Sequence, residues 1–213
     1  ALAAIVLVAD KGMIDLKALR DLWRVSRFEF SISMVALVGV LLLGILKGVL
    51  LAVVVSVLLL LAAVARPNVA FLGRIPGTRR FSDLERHPDN ESIPGVLVFR
   101  VEASLVYFNV EHVHNVVWAK VCESPGLRLV ICELSNTPYV DVAGASMLSK
   151  LHRNLAERSL QFRIVECHAR VRDTLRAVGL EAQVGYLGRH ISVHQAIVES
   201  KPAMPGHESD ERH

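Results

Sequence analysis

Between Phe30 and Ala65 the chain carries a single charged residue, Lys47, in 36 consecutive positions. Leu, Val, Ala, Gly, Ile, Met and three serines fill nearly all the rest. A soluble helix of that length and composition would have no water-facing side, so the run reads as lipid-embedded. As one straight helix it would be about 54 Å long at about 1.5 Å per residue, against a hydrocarbon core of about 30 Å. It therefore has to fold back. Division at Lys47 gives residues 30–46 and 48–65, each near the lower limit for a span. Gly44 and Gly48 bracket the lysine, where the backbone must turn.

The flanks fix an expected topology. Lys11, Lys17, Arg20, Arg24 and Arg27 precede the run, and Arg66, Arg74, Arg79 and Arg80 follow it. Positive flanks stay in the cytoplasm, so both ends belong on one side and the run is a two-helix hairpin, spanning or re-entrant. Lys47 then sits near the far interface and snorkels outward; a functional intramembrane lysine is the alternative. In residues 12–27, Ile14, Leu19, Leu22 and Trp23 share one helical face and Lys17, Arg20, Asp21 and Arg24 the other. That pattern suits a helix on the membrane surface or, equally, a solvated connector. Residues 1–9 are already apolar and read as the tail of an earlier membrane segment, since no basic leader of a secretory signal precedes them.

Beyond Arg66 the character changes. The mean hydropathy of +0.40 owes nearly all its excess to the first part of the chain. In 213 residues there is room for one full domain and a smaller module. Residues 66–94 hold four of the eight prolines (Pro67, Pro76, Pro88, Pro94) among Arg, Asp and Glu, and read as a basic, mostly extended linker. Its arginines meet anionic headgroups or stay solvated. Residues 95–200 are regular. Strands are expected at 96–101, 105–108, 127–134 and 162–167. Helices are expected at 110–122, 143–158, 169–178 (stopped by Gly179) and 192–199, with a disordered tail at 201–213. Val113, Val116, Val117 and Val121, and Met147, Leu148, Leu151 and Leu155, form helical stripes. Such alternation makes a small open sheet covered by helices.

Little in this half carries chemistry. The net charge of +3 is too small to argue for nucleic acid. Cys122, Cys132 and Cys167 lack metal-ligand spacing and read as reduced thiols of a cytosolic domain. His112 and His114 lie about 200° apart on their helix and cannot readily share a metal. Cys167-His168 has no companion at ligand spacing. The chain has no serine-hydrolase elbow, Walker loop or dinucleotide fingerprint, so neither an enzyme nor a cofactor is indicated.

The order of motifs is more specific. Leu72-Gly73-Arg74-Ile75-Pro76-Gly77-Thr78, Phe81-Ser82-Asp83, His87-Pro88, Pro94-Gly95-Val96-Leu97-Val98-Phe99-Arg100 and Tyr107-Phe108-Asn109 resemble the junction of SulP anion transporters. The region carboxyl-terminal to that junction resembles their STAS domain, a relative of bacterial anti-sigma-factor antagonists. The likeness implies an α-helical membrane hairpin followed by an α/β STAS domain. It divides the chain into residues 1–65 (end of the transmembrane domain, hairpin 30–65), a linker at 66–94 and the STAS domain at 95–200. It further implies secondary active transport of sulfate or bicarbonate through a core formed upstream, the hairpin supplying the last gate-domain helices. An inner-membrane location, a cytoplasmic STAS domain, lipid contact and a homodimer go with it. Substrate-binding residues of the family lie on half-helices absent from this sequence, so none is named.

In the antagonists a phosphorylatable Ser follows an Asp in the loop before the second helix. Here that loop reads Asp141-Val142-Ala143-Gly144-Ala145, with no hydroxyl after Asp141. A kinase switch of that type cannot operate at this position, and Ser146 is a poor substitute. Two readings remain for the loop. Asp141 is an N-cap, or the N–H groups of Ala143 to Ala145 hold an anion, a nucleotide or an acidic protein partner.

Overall fold

The computed structural model describes residues 16–25, 27–188 and 191–200. The apolar stretch at residues 1–9 and the tail at 201–213 lie outside the described residues, as does Ile14. The chain forms two compact units, residues 1–63 and 64–213.

The first unit is helical. Helix α1 (Leu16–Val25) exposes Lys17, Arg20, Asp21, Trp23 and Arg24. The Trp23 ring meets Phe30 edge-on at 4.8 Å, and Arg27 lies over the same indole. Helices α2 (Arg27–Leu43) and α3 (Ile45–Ala65) form the apolar hairpin. Helix α3 has 21 residues, enough by length and composition to cross a membrane; the apolar part of α2, Ser33–Leu42, is shorter.

The turn differs from expectation. It falls at Gly44, whose φ of +79° lets one helix stop and the next begin, while Lys47 lies exposed in the first turn of α3. Only glycine enters that left-handed region without steric cost. Gly48 has a second duty. A Cβ there would stand 2.4 Å from Val40 Cα, so the two backbones touch where a side chain cannot fit.

The second unit is built on a five-stranded sheet of order β2-β1-β3-β4-β5. Its strands are β1 (Val69–Arg74), β2 (Phe81–Asp83), β3 (Val96–Val101), β4 (Leu129–Glu133) and β5 (Gln161–Val165). Strands β3, β4 and β5 run parallel, and β1 pairs antiparallel with both β2 and β3. Between and after them come α4 (Val110–Glu123), α5 (Val142–Glu157), α6 (Ala169–Ala177), α7 (Leu180–Val184) and α8 (Val193–Glu199).

Two expectations change here. The stretch read as extended linker contributes β1 and β2, with Val69 opposite Val101 and Phe71 opposite Phe99. Residues 105–108 are not a ladder strand. Leu105 makes one isolated bridge to Val140, and Tyr107 and Phe108 turn outward to solvent. Helix α7 was not foreseen; Gly179 ends α6 at φ +74° but the chain re-enters helix at once.

The sheet has two unequal faces. On one, Leu97, Phe99, Val101, Val130, Cys132, Phe162 and Ile164 meet the stripes of α4, α5, α6 and α7 in a closed apolar core. On the other, Ala70, Leu72, Val98, Leu129, Ile131 and Val165 are covered by Val193, Ala196 and Ile197 of α8, with Phe81 and Ile93 at the margin. One short helix cannot cover a whole sheet face. The part it leaves open, at the carboxyl ends of the parallel strands, is lined by charged groups.

Candidate functional site

Two places in the second unit collect polar groups. The first is the loop singled out from the sequence. Asp141 takes an extended backbone (φ −88°, ψ −179°) and caps α5, its Oδ1 accepting from Gly144 N–H at 2.7 Å. Its Oδ2 accepts from Tyr107 N–H at 2.9 Å, and its own N–H donates to Leu105 carbonyl oxygen at 3.0 Å. One carboxylate thus holds both the helix start and the 105–108 turn. Asn109, fully buried, secures the same turn by accepting from Val106 N–H and donating to Ser104 carbonyl oxygen.

This geometry alters the anion reading. Gly144 N–H is taken by Asp141 Oδ1, and Ala145 N–H donates to Asp141 carbonyl oxygen. The amides expected to be free at Gly144 and Ala145 are therefore committed, beside a negative charge. Both residues are buried. A Cβ at Gly144 would lie 2.7 Å from Leu105 carbonyl oxygen, so glycine is required for the loop to close. Of the five loop residues, Val142 stands out into solvent, and it does so beside three exposed aromatics, Tyr107, Phe108 and Tyr139. A cavity of about 590 Å³ between the starts of α4 and α5 adjoins it, lined by Tyr107, Glu111, His114, Lys150 and Arg153 among others.

The second place escaped the sequence reading. A cavity of about 490 Å³ opens at the carboxyl ends of β3, β4 and β5, lined by Ile75, Arg79, Arg80, Phe81, Ser82, Arg100, Glu133, Glu166, Ser192 and Val193. Arg100 and Glu133 are cross-strand neighbours, and the guanidinium bonds directly to the carboxylate. Glu133 is almost wholly buried, and its other oxygen accepts from Ser135 N–H at 2.8 Å. Glu166 follows β5 in a left-handed conformation (φ +56°) that brings its carboxyl to the cavity mouth. Partial burial, then the Glu133 charge, raise its pKa; the Val193 N–H and Arg100 oppose the shift. Glu133 ends the strand β4, and Arg100 and Glu166 lie within one residue of the ends of β3 and β5, which is the one signal the sequence offered.

The remaining candidates are structural. His114 stacks on Trp118 and lies 3.4 Å from Asn154. His168 Nε2 lies 2.7 Å from Ser135 carbonyl oxygen. Among the described residues no cluster of His, Cys, Asp and Glu could hold a metal. All three cysteines are free. Burial pushes Cys132 far up and Cys167 up to about 12, so neither is a nucleophile; exposed Cys122 accepts from Arg158 at 3.3 Å.

A family model for the STAS domain matches residues 87–196. The chain belongs to the STAS-domain family. The likeness to SulP transporters drawn from the motifs is also borne out, because relatives match far beyond the STAS domain. A probable sulfate transporter of Arabidopsis thaliana is 30% identical over 207 residues, covering 93% of this chain and 32% of that protein. One from Mycobacterium tuberculosis is 32% identical over 186 residues, covering 87% and 33%. The fold of the murine solute carrier 26 member A9 anion transporter, in its inward-facing state, superposes with a TM-score of 0.75 over 86% of this chain and 30% of that one, at 22% identity. The chain spans about a third of the length of these relatives, and corresponds to their carboxyl-terminal region with its STAS domain. In this STAS domain the Asp141 loop and the strand-end cavity are separate sites, at the start of α5 and beside α8.

Proposed function

We propose that this chain is the carboxyl-terminal part of a SulP-type secondary active anion transporter, with sulfate or bicarbonate as cargo and the STAS domain as cytoplasmic regulator. One observation carries the reading. The 30% identity to a sulfate transporter covers 93% of the chain, so hairpin, junction and STAS domain match together and in order. In this reading α2 and α3 are the last gate-domain helices, both ends of the hairpin face the cytoplasm, and the STAS domain, beginning with the β1 side of the junction, hangs inside the cell. The anion would bind upstream, and the chain supplies no enzyme chemistry. Uptake of labelled sulfate and of labelled bicarbonate into vesicles holding the full-length protein tests it. Flux of one of them, saturable and lost on deleting the hairpin, is expected; no flux of either counts against the proposal.

A second reading concerns the STAS domain as an interaction module. The exposed group Tyr107, Phe108, Tyr139 and Val142 around capped Asp141 favours a protein partner, or a nucleotide base stacking on the rings, over a bare anion. Titration of isotope-labelled residues 66–200 with guanine nucleotides and with the purified transmembrane part would shift resonances of 105–109 and 139–145. Spectra unchanged by both would remove this reading. The fragment has to start before β1, because that strand lies between β2 and β3 in the sheet. Homodimerisation of the whole transporter belongs to the same proposal, and cross-linking in membranes that gave monomer alone would contradict it.

A further inference from the structure

The strand-end cavity has the composition of a binding site that neither the transport reading nor the Asp141 loop uses. Three guanidiniums and two carboxylates line it, and they do not cancel in pairs. Arg100 is committed to Glu133, which is satisfied on its other side by Ser135 N–H. Arg79 and Arg80 form no ion pair with an acidic side chain among the described residues. They stand on a turn held from within. Thr78 Oγ1 donates to Ile75 carbonyl oxygen at 3.0 Å and accepts from Arg80 N–H at 3.1 Å, and Ile75 N–H donates to Arg80 carbonyl oxygen at 2.9 Å. Ser192 Oγ accepts from Gln195 N–H, which leaves the hydroxyl proton free to donate. Two unpaired guanidiniums and a spare hydroxyl proton converge on a volume in the range of small-molecule sites.

We infer that this cavity binds a tetrahedral oxyanion, sulfate or a phosphate group, between Arg79 and Arg80, and that the anion enters together with a proton held by Glu166. The proton follows from charge. Among the described residues, the charged groups that act on Glu166 are Glu133 from β4 and Arg100 from β3, and Arg79 and Arg80 of the β1–β2 turn line the same cavity; at the start of α8, Ser192 and Val193 carry no charge. With Arg100 and Glu133 neutralising one another, an ionised Glu166 opposes the incoming anion, and a protonated one both removes that repulsion and offers an O–H donor. The direction in which burial and Glu133 already move Glu166 is the direction the bound anion would extend. A STAS domain so equipped would report oxyanion and pH together. The inference does not depend on what the transmembrane part carries, so loss of transport leaves it standing and its failure leaves the transport reading intact.

The test uses the whole chain in nanodiscs of zwitterionic lipid. Sodium sulfate and inorganic phosphate are titrated calorimetrically at constant ionic strength from about pH 5 to about pH 8, with chloride as control and buffers of different ionisation enthalpy to count protons. Saturable binding is expected for at least one oxyanion, with proton uptake and an affinity that falls as pH rises. Both arginines are exposed, so R79A/R80A keeps the fold, checked by circular dichroism, and weakens binding about tenfold or more. E166Q abolishes the proton uptake that accompanies sulfate binding and flattens its pH dependence. Repeating the titration in anionic-lipid nanodiscs separates the sources. Competition with sulfate that R79A/R80A removes identifies a headgroup phosphate as the occupant; undiminished binding identifies a free anion. The inference is overturned by chloride acting as strongly as sulfate, by R79A/R80A binding like wild type, by pH dependence of sulfate binding surviving E166Q, or by silence in both lipids.

Discussion

The hairpin and the STAS domain solve the same packing problem in opposite solvents. In α2 and α3 the apolar side chains face outward: Leu42 is 79% and Leu46 is 85% exposed. In the STAS domain Phe99, Leu148 and Leu155 are fully enclosed between sheet and helices. Water drives the second arrangement and cannot drive the first, where lipid tails are as apolar as leucine. What gives the hairpin its shape is therefore glycine. Gly44 sets the turn and Gly48 lets the backbones touch, whereas the STAS domain is shaped by volume.

That contrast is most exposed to failure at single apolar side chains. Phe99→Ala should cost the STAS domain about 3–5 kcal/mol, measured by urea unfolding of residues 66–200. Leu46→Ala in the hairpin should change helix content in nanodiscs hardly at all, because its side chain meets no core. Equal effects would dissolve the distinction.

A smaller effect is expected at the two crowded glycines, where the regions ought to behave alike. Gly48→Ala forces a methyl against the Val40 backbone, and Gly144→Ala forces one against Leu105 carbonyl oxygen. Each should cost about 1–3 kcal/mol. The outcomes differ in kind. Gly48→Ala opens the hairpin, seen as a longer distance between spin labels on Val38 and Val53, while Gly144→Ala lowers the unfolding midpoint of the STAS domain. A hairpin distance that stays put would show that Gly44 alone sets the turn.

How much of this was legible depends on where the information lies along the chain. The stripe Leu148, Leu151, Leu155 and the β-branched run at 127–134 are local signals; the first became α5 and the second the shorter β4. The sequence also identified the fold class through its motif order. Strand β1 was missed because Pro67 and Pro76 flank it and Gly73 interrupts its pattern, and what makes it a strand is pairing with β3 about thirty residues away. Residues 105–108 look like a strand by composition, but their aromatics serve an outward turn fastened by Asp141 and Asn109. The cavity was invisible for a related reason. Arg100, Glu133 and Glu166 can be seen near the ends of three strands, yet that they line one cavity with Arg79 and Arg80 depends on strand order and on where the β1–β2 turn falls.

Charge gives the next, weaker contrast. Lys47 sits alone and exposed at the start of α3, so Lys47→Gln should leave the hairpin's helix content unchanged. Asp141 in the STAS domain is committed to two N–H groups. Asp141→Ala should cost about 1–2 kcal/mol in unfolding of residues 66–200, with faster amide exchange at Tyr107 and Gly144. Asp141→Asn, which keeps an acceptor for the cap, should recover a good part of it. If alanine and asparagine were equally destabilising, the charge rather than the cap would be what the loop needs.

The smallest effect expected is the pH response of Glu166. Its folded pKa is raised above the ordinary value of 4.5, by partial burial first and the Glu133 charge second. Between the unfolded and folded values the native domain binds more protons than the unfolded chain, so stability falls as pH rises through that window. Below the ordinary value both states are protonated and the penalty is absent; above the folded value it is fully present. Glu166→Gln should therefore stabilise the STAS domain at neutral pH, leave it unchanged in acid, and remove this part of the slope. Because the side chain stands at the cavity mouth, solvent screens the shift and the gain in urea midpoint should be slight. A neutral-pH loss on substitution would instead mean that ionised Glu166 stabilises the fold through Val193 N–H and Arg100, and that the cavity prefers to keep its second negative charge.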